Sequence, residues 1–181
     1  IEANSTGKGA SLAGIVAAQS TVERITGCSN TANITIANKA KVTNAYMAGI
    51  ASAATFYVNE TMSDCHNSGA ISIGDDITVT GVVALSGVVN YLSAVTQTPT
   101  VTNCTNSGTL TVGKVTNTSG TGNSQRLLIG GVIHSVSAGT VSKCYNQKSA
   151  TITIKTGDWT SRYMIGGLFG YIGQTANITN Q

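Results

Sequence analysis

A cysteine motif that recurs four times in 181 residues constrains the fold more than any other feature of this sequence. Successive cysteines lie 37, 39 and 40 residues apart, and each has an apolar side chain three residues earlier and an asparagine two residues later. The four copies are Ile25–Asn30, Met62–Asn67, Val101–Asn106 and Val141–Asn146, with the cysteines at Cys28, Cys65, Cys104 and Cys144. A fixed period of this length is typical of a protein built from stacked, similar units.

Two further landmarks accompany the cysteines. An alternating apolar and polar segment follows each one, and a period of two predicts a strand with one buried face. These segments are Ile34–Ile36, Ile71–Ile73, Leu110–Val112 and Ile152–Ile154. A glycine begins an apolar strand before each cysteine and once more after the last, at Gly14, Gly49, Gly87, Gly131 and Gly167. Each repeat therefore contains three predicted short strands joined by turns. They are the apolar strand that begins at the glycine, a strand formed by the cysteine motif, and the alternating strand that follows it.

A unit with three short strands cannot bury its apolar face alone, but parallel stacking of successive units buries a continuous core. The sequence therefore predicts an all-β fold, a parallel β-helix (β-solenoid) of four to five coils with one 37–40-residue repeat per coil. Residues 1–181 form a single domain in this interpretation. Four variable segments, 37–45, 74–84, 113–126 and 155–162, are expected to emerge at one corner, and surface loops on a rigid scaffold are frequent binding sites.

The two ends of the sequence align within the repeat. Residues 1–15 align without a gap on residues 36–50, and Gln181 stands where a fifth cysteine is expected. Because terminal coils of solenoids need a cover, we expect this chain to be a segment of a longer repeat array, or a partner to cover its ends. The expected covers are neighbouring coils of a longer chain or an identical subunit.

Charge is scarce in this chain, which has 9% charged residues and a formal net charge of +3. The scattered positive charge is too small for a nucleic-acid interface, which neutralises many phosphates with clustered Lys and Arg. Asn, Gln, Thr, Ser and Pro interrupt the uncharged span 77–113, so no apolar run approaches the roughly 20 residues of a membrane-spanning helix. The sequence thus predicts neither a nucleic-acid partner nor membrane insertion.

The segment Met164–Gly170 carries a family resemblance, since it contains Gly167-Leu168-Phe169-Gly170. This pattern, with Cys-x-Asn-x-Gly segments such as Cys65–Gly69 and Cys104–Gly108, resembles the GLUG-type repeat of bacterial surface proteins. His134 replaces the last glycine of the motif in one copy, and other copies keep one glycine. The resemblance implies an extracellular or bacterial cell-surface location and an adhesin-like or structural role, with no catalytic residues and no cofactor.

Stacking in register predicts two internal columns of side chains. The cysteines are expected to form a column of free thiols in the core, with a disulfide or a metal site as the alternatives. The asparagines are expected to form a ladder in which each amide hydrogen-bonds to the amide of the next coil. This ladder comprises Asn30, Asn67, Asn106 and Asn146.

Few residues are candidates for chemistry. Glu23 and Glu60 each precede a cysteine by five residues, so they are the candidate pair for an alternative function, a carbohydrate-active β-helix enzyme. Asp75 and Asp76 are the candidate calcium ligands. His66 and His134 fall at different positions of the repeat and are interpreted as surface or turn residues.

The remaining candidate site is aromatic. Trp159 lies beside charged side chains in the last variable segment, and such a group is typical of surfaces that stack on sugars. The alternative is that Trp159 packs at the edge of a coil. Its members are Asp158, Trp159, Arg162 and Tyr163. We therefore predict a non-enzymatic surface or secreted module, an adhesin-like binder of a glycan or host protein or a structural stalk. The alternatives are the enzyme above and a filament subunit that stacks end to end.

Overall fold

The chain folds into a β-solenoid of about four turns in a computed structural model, which confirms the predicted fold class. The structure describes residues 1–3, 6–17, 24–52, 61–92, 99–117, 126–155, 157 and 162–179, without the side chains of residues 2–8, 117 and 162. All regular secondary structure within these ranges is β-strand, and the strands pair in parallel in four sheets.

The first and second sheets face each other across one core. The first sheet contains β1 (Glu2–Ala3), β5 (Ile34–Ile36), β9 (Ile71–Ile73), β15 (Leu110–Val112) and β20 (Ile152–Ile154). The second contains β2 (Thr6–Ala13), β6 (Lys41–Ala48), β10 (Ile77–Val79), β11 (Val82–Ser86), β16 (Val115–Asn117), β17 (Arg126–Gly130) and β21 (Arg162–Gly166).

The third and fourth sheets complete each coil. The third contains β3 (Arg24–Thr26), β7 (Thr61–Ser63), β12 (Val89–Leu92), β13 (Thr100–Thr102), β18 (Ile133–Ser142) and β22 (Phe169–Thr179). The fourth contains the two-residue strands β4 (Ser29–Asn30), β8 (His66–Asn67), β14 (Thr105–Asn106) and β19 (Tyr145–Asn146).

The interior is divided into two apolar clusters. Alternation places both isoleucines of β5 and β9 in the first cluster, where they meet the inward side chains of the second sheet, such as Met47 and Leu85. The second cluster lies inside the third sheet and contains Ile50, Val101 and three of the four cysteines. The repeat therefore buries one apolar set at each end of an elongated coil.

Glycines and asparagines meet at the waist between the two clusters. A Cβ atom added to Gly49 would collide with the Gly87 carbonyl oxygen of the next coil and with Cγ of Asn67. The same collision with an asparagine side chain and with the next coil's glycine carbonyl would occur at three other glycines. These are Gly14 against Asn30, Gly87 against Asn106 and Gly131 against Asn146. The recurring glycine is thus required because the backbone passes directly against the asparagine side chains.

Several details of this architecture differ from the predictions made from the sequence. Each cysteine motif was expected to be one strand, but a residue with left-handed backbone conformation divides it between the third and fourth sheets. In the four motifs this residue is Gly27, Asp64, Asn103 and Lys143, with φ of 50° to 63°. Strands β10 and β16 occupy parts of the variable segments, since both alternate apolar and polar residues and pair with each other. The expected gapless alignment of the first residues is wrong: Ala3 pairs with Ile36, and irregularities in β2 shift the register until Ala10 pairs with Ala45.

Candidate functional site

The four cysteines lie in one column at the start of the fourth sheet. Their thiols donate to carbonyl oxygens two residues earlier, as Cys65 does to Ser63 at 3.2 Å, and the inner ones also approach carbonyls one coil earlier. All four are free; Cys65, Cys104 and Cys144 are buried, and Cys28 is half-buried. The structure thus contains a column of thiols rather than a disulfide.

Burial and hydrogen bonds between neighbouring thiols act together on this column. Desolvation raises the pKa of the Cys28 thiol, and the neighbouring thiols of Cys144 and Cys65, together with burial, raise the pKa of Cys104. Hydrogen bonds with Cys104 lower the pKa of Cys65 to about 7 and also lower the pKa of Cys144. The buried thiols pack as small apolar groups in the second cluster. Within the described residues, no group of three or more His, Cys, Asp or Glu side chains is placed to hold a metal ion.

The asparagines form a continuous chain of amide hydrogen bonds. Each Nδ2 donates to the Oδ1 of the next coil at 2.8 Å, from Asn30 to Asn67, from Asn67 to Asn106, and from Asn106 to Asn146. The first three amides also bond to backbone groups two residues later within their own coil. Asn106, for example, donates to the Gly108 carbonyl oxygen and accepts from the Gly108 N–H. The chain satisfies polar groups that the waist removes from water.

Charged side chains gather where the first sheet connects to the second, and we name this surface the charged corner. Its described members are Asn38, Lys39, Asp75, Asp76, Lys114 and Lys155. Asp75 lies at its centre: its Oδ1 accepts from the Lys114 backbone N–H at 2.9 Å, and its Oδ2 accepts from Lys155 Nζ at 2.8 Å. Lys114 also lies 3.9 Å from Asp76.

These contacts bear on the predicted calcium ligands. The ammonium group of Lys155 and the backbone N–H of Lys114 hold the pKa of Asp75 below its usual range. A calcium site offers several oxygens to one cation and no ammonium group among them. The arrangement therefore favours a network of salt bridges at Asp75 and Asp76 over a calcium site.

The two histidines lie in different environments. His66 is exposed, and its Nδ1 is 2.8 Å from the Thr105 hydroxyl. The interpretation of His134 as a surface or turn residue is wrong, because it lies in β18 and is 5% exposed. Burial lowers the pKa of His134 to about 4, and its Nδ1 has no hydrogen-bond partner among the described residues. His134 shares its repeat position with the buried Ser52 and Asn90, and sequence reasoning did not detect that this position is buried.

Most of the predicted catalytic and aromatic candidates lie outside the described residues. These are Glu23, Glu60, Asp158 and Trp159. Arg162 begins β21, and the side chain of its neighbour Tyr163 is exposed. The acidic pair and the aromatic group therefore stay predictions.

Sequence reasoning missed a second group of aromatic side chains. Tyr91 of β12 pairs with Ser135 of β18, which pairs with Tyr171 of β22, so the three form one column, named here the tyrosine column. Both tyrosines are exposed, and the serine between them is buried. Aligning the residues four positions after Gly87, Gly131 and Gly167 gives Tyr-Ser-Tyr, the signal that could have revealed the column.

Comparison with known protein families, characterised proteins and solved structures finds no match to this chain. The resemblance to the GLUG-type repeat therefore stays a prediction. In the part of the chain that the structure describes, no helix is long and apolar enough to span a membrane.

Proposed function

We propose that this chain is a non-enzymatic module of a secreted or cell-surface protein, in which the solenoid is a rigid scaffold for binding a glycan or host protein. One observation carries the proposal: the connections between the first and second sheets that the structure describes in full, residues 37–40, 74–76 and 113–114, emerge at one corner of successive coils. The strands before and after these connections stack in register across the coils, so the connecting residues form one surface.

The scaffold supports binding because its internal hydrogen bonds leave the coils little freedom to move relative to one another. Parallel ladders join every coil to the next, and the amide chain fixes the waist. The charged corner adds salt bridges between coils, and its central Asp75 and Lys155 are 80 residues apart in sequence. Side chains displayed on such a scaffold are held in fixed relative positions, which lowers the entropic cost of binding a ligand.

A binding screen tests this proposal. The intact chain is applied to arrays of glycans and of extracellular host proteins, together with Trp159→Ala and a charged-corner variant, Lys155→Ala. The proposal expects binding to at least one array, which either variant weakens if the ligand lies on the variable segments, and no release of reducing ends from any bound polysaccharide. Absence of binding on both arrays would contradict it. Polysaccharide cleavage that disappears in Glu60→Gln, with folding intact, would replace it with the enzyme alternative.

A second candidate function, a structural unit that stacks on further coils, is favoured by the last coil. Ile165 is 45% exposed, whereas Ile129 at the same position one coil earlier is fully buried. Ile172 is likewise exposed where Val136 is buried. Light scattering over a range of concentrations tests this candidate: mass should rise with concentration, and Ile165→Lys should prevent the rise. A mass that stays constant would exclude assembly of this chain with itself.

A further inference from the structure

The tyrosine column presents two aromatic rings on one face of the solenoid. Paired residues of neighbouring parallel strands point to the same side, and each strand spacing is ~4.8 Å, so the Cα atoms of Tyr91 and Tyr171 are separated by about 9.6 Å. Tyr91 is 38% exposed and Tyr171 is 44% exposed, whereas Ser135 between them is 8% exposed. The serine is thus a small buried residue between two exposed aromatic residues, and we name the surface over these three residues the slot.

The polar groups around the slot are uncharged hydrogen-bonding groups. The Ser137 hydroxyl lies 3.2 Å from both the Tyr91 hydroxyl and the Leu92 carbonyl oxygen. The Thr175 hydroxyl donates to the Ser137 carbonyl oxygen at 2.9 Å. The ring centroid of buried His134 is 6.5 Å from that of Tyr91. These contacts hold Tyr91 from two sides, so less side-chain freedom is lost when a ligand binds.

Charge distinguishes this face from the charged corner. The three strands that carry the column, β12, β18 and β22, contain no Asp, Glu, Lys or Arg. On these three strands, a phosphate or carboxylate ligand would find no cation, and a basic peptide would find no carboxylate. Exposed tyrosines with neighbouring hydroxyls instead suit a ligand that has an apolar ring face and many uncharged hydroxyl groups, because the rings stack and the polar tips hydrogen-bond.

From this combination we infer that Tyr91, Ser135 and Tyr171 form a binding site for a neutral oligosaccharide, whose sugar rings stack on the two tyrosines. The inference rests on the proposed binding function and moves the glycan site from the last variable segment to the outer face of the third sheet. The Cα spacing of about 9.6 Å suits an extended chain of sugars that runs across the coils. Ser137 and Thr175, on the same strands, supply further hydroxyl groups.

The test measures binding of soluble neutral polysaccharides, namely glucans, mannans, galactans and xylans, by affinity electrophoresis and calorimetry. Uronic-acid polysaccharides and a peptide array serve as comparison ligands. Tyr91→Ala and Tyr171→Ala should each weaken binding of the neutral ligand about tenfold, since truncating an anchoring tyrosine removes most of its contact. Tyr91→Phe should bind within about threefold of wild type, because the stacking ring remains.

Tyr145→Ala is the matched control, because Tyr145 is also 44% exposed but lies on the fourth sheet. It should bind as wild type does. Circular dichroism and urea unfolding establish that each variant is folded. Neutral-glycan binding that survives the double variant Tyr91→Ala/Tyr171→Ala overturns this site and leaves the binding module standing. Binding only to acidic polysaccharides or peptides overturns the ligand class, and absence of all binding overturns both the site and the proposed function.

Discussion

The asparagine chain allows a stability prediction in which one residue type is compared at two places in the same column. Asn106 is fully buried and takes part in four hydrogen bonds: to the Gly108 carbonyl oxygen, from the Gly108 N–H, to Asn146 and from Asn67. Asn146 takes part in one, as the acceptor from Asn106. The substitutions Asn106→Ala and Asn146→Ala therefore remove four bonds and one bond from the same ladder.

The expected magnitudes follow from these counts. An intramolecular hydrogen bond contributes about 1 kcal/mol net, so Asn106→Ala should lower the free energy of unfolding by about 4 kcal/mol and Asn146→Ala by about 1 kcal/mol. Asn106→Asp keeps the shape but turns the Nδ2 donor into an acceptor that faces the oxygens of Gly108 and Asn146. Its loss should match or exceed that of the alanine variant, because the new carboxylate oxygen is buried against two acceptors and has no donor.

Equilibrium unfolding in urea, followed by circular dichroism, measures these changes through the midpoint and slope of each transition. The slopes should be the same for all variants, since the same surface is exposed on unfolding. Equal losses of unfolding free energy for Asn106→Ala and Asn146→Ala would refute the reasoning, because the number of hydrogen bonds removed would then not determine the loss. A harmless Asn106→Asp would show that shape, rather than hydrogen bonding, fixes the waist.

Three further predictions concern glycine packing, backbone strain and burial of a histidine. Gly87→Ala should lower the free energy of unfolding by about 3 kcal/mol, because the new Cβ collides with the Gly131 carbonyl oxygen. Gly167→Ala should leave the free energy of unfolding unchanged in the same urea assay, because its Cβ meets nothing within 4 Å. Lys143→Gly should raise the thermal midpoint, with a gain of about 1 kcal/mol, because Lys143 has a φ of 50°; an unchanged midpoint would argue against strain. The unfolded chain protonates His134 below pH 6.5 and the folded chain only near pH 4, so stability should fall by about 2 kcal/mol as pH falls from 7.5 to 5. His134→Leu should remove that part of the pH dependence, and an unchanged pH profile would contradict the burial of the imidazole.

Much of the fold could be predicted because in-register stacking makes alignment equivalent to contact. Aligning Asn67 with Asn106 on the cysteine motif places their side chains one coil apart, and the structure joins them at 2.8 Å. The strand Ile71–Ile73 follows from its period of two in the same way. The coil path between the aligned strands could not be predicted, because a bend produces no periodicity. The left-handed turn at Asp64 is such a bend, and the buried His134 comes shortly after the bend at Gly131 and Val132.

The site was harder to predict than the fold for a related reason. A repeat reveals positions that stay the same, whereas a binding surface consists of positions that differ between coils. Tyr91 and Tyr171 share a column with Ser135, so neither the identity of the residue nor its polarity recurs from one coil to the next. Trp159 attracts attention in the sequence because it is the single tryptophan, but it lies outside the described residues.

The same repetition accounts for the scarcity of charge and limits the ligands that the faces of the solenoid can bind. Parallel stacking in register brings equal positions to about 4.8 Å from each other, so a charge that recurred in every coil would repel its neighbours. Charges are retained where opposite signs meet, as with Asp75 between Lys114 and Lys155. Elsewhere the faces carry Ser, Thr and Asn, whose hydroxyls and amides repeat without repulsion and form bonds between coils, as Thr35 does with Ser72. A face that consists of such groups can distinguish ligands only by shape, stacking and neutral hydrogen bonds, and exposed tyrosines provide the stacking. We therefore expect neutral sugars to be the ligand class that suits a solenoid of this composition, because they bind without the charges that its own stacking disfavours.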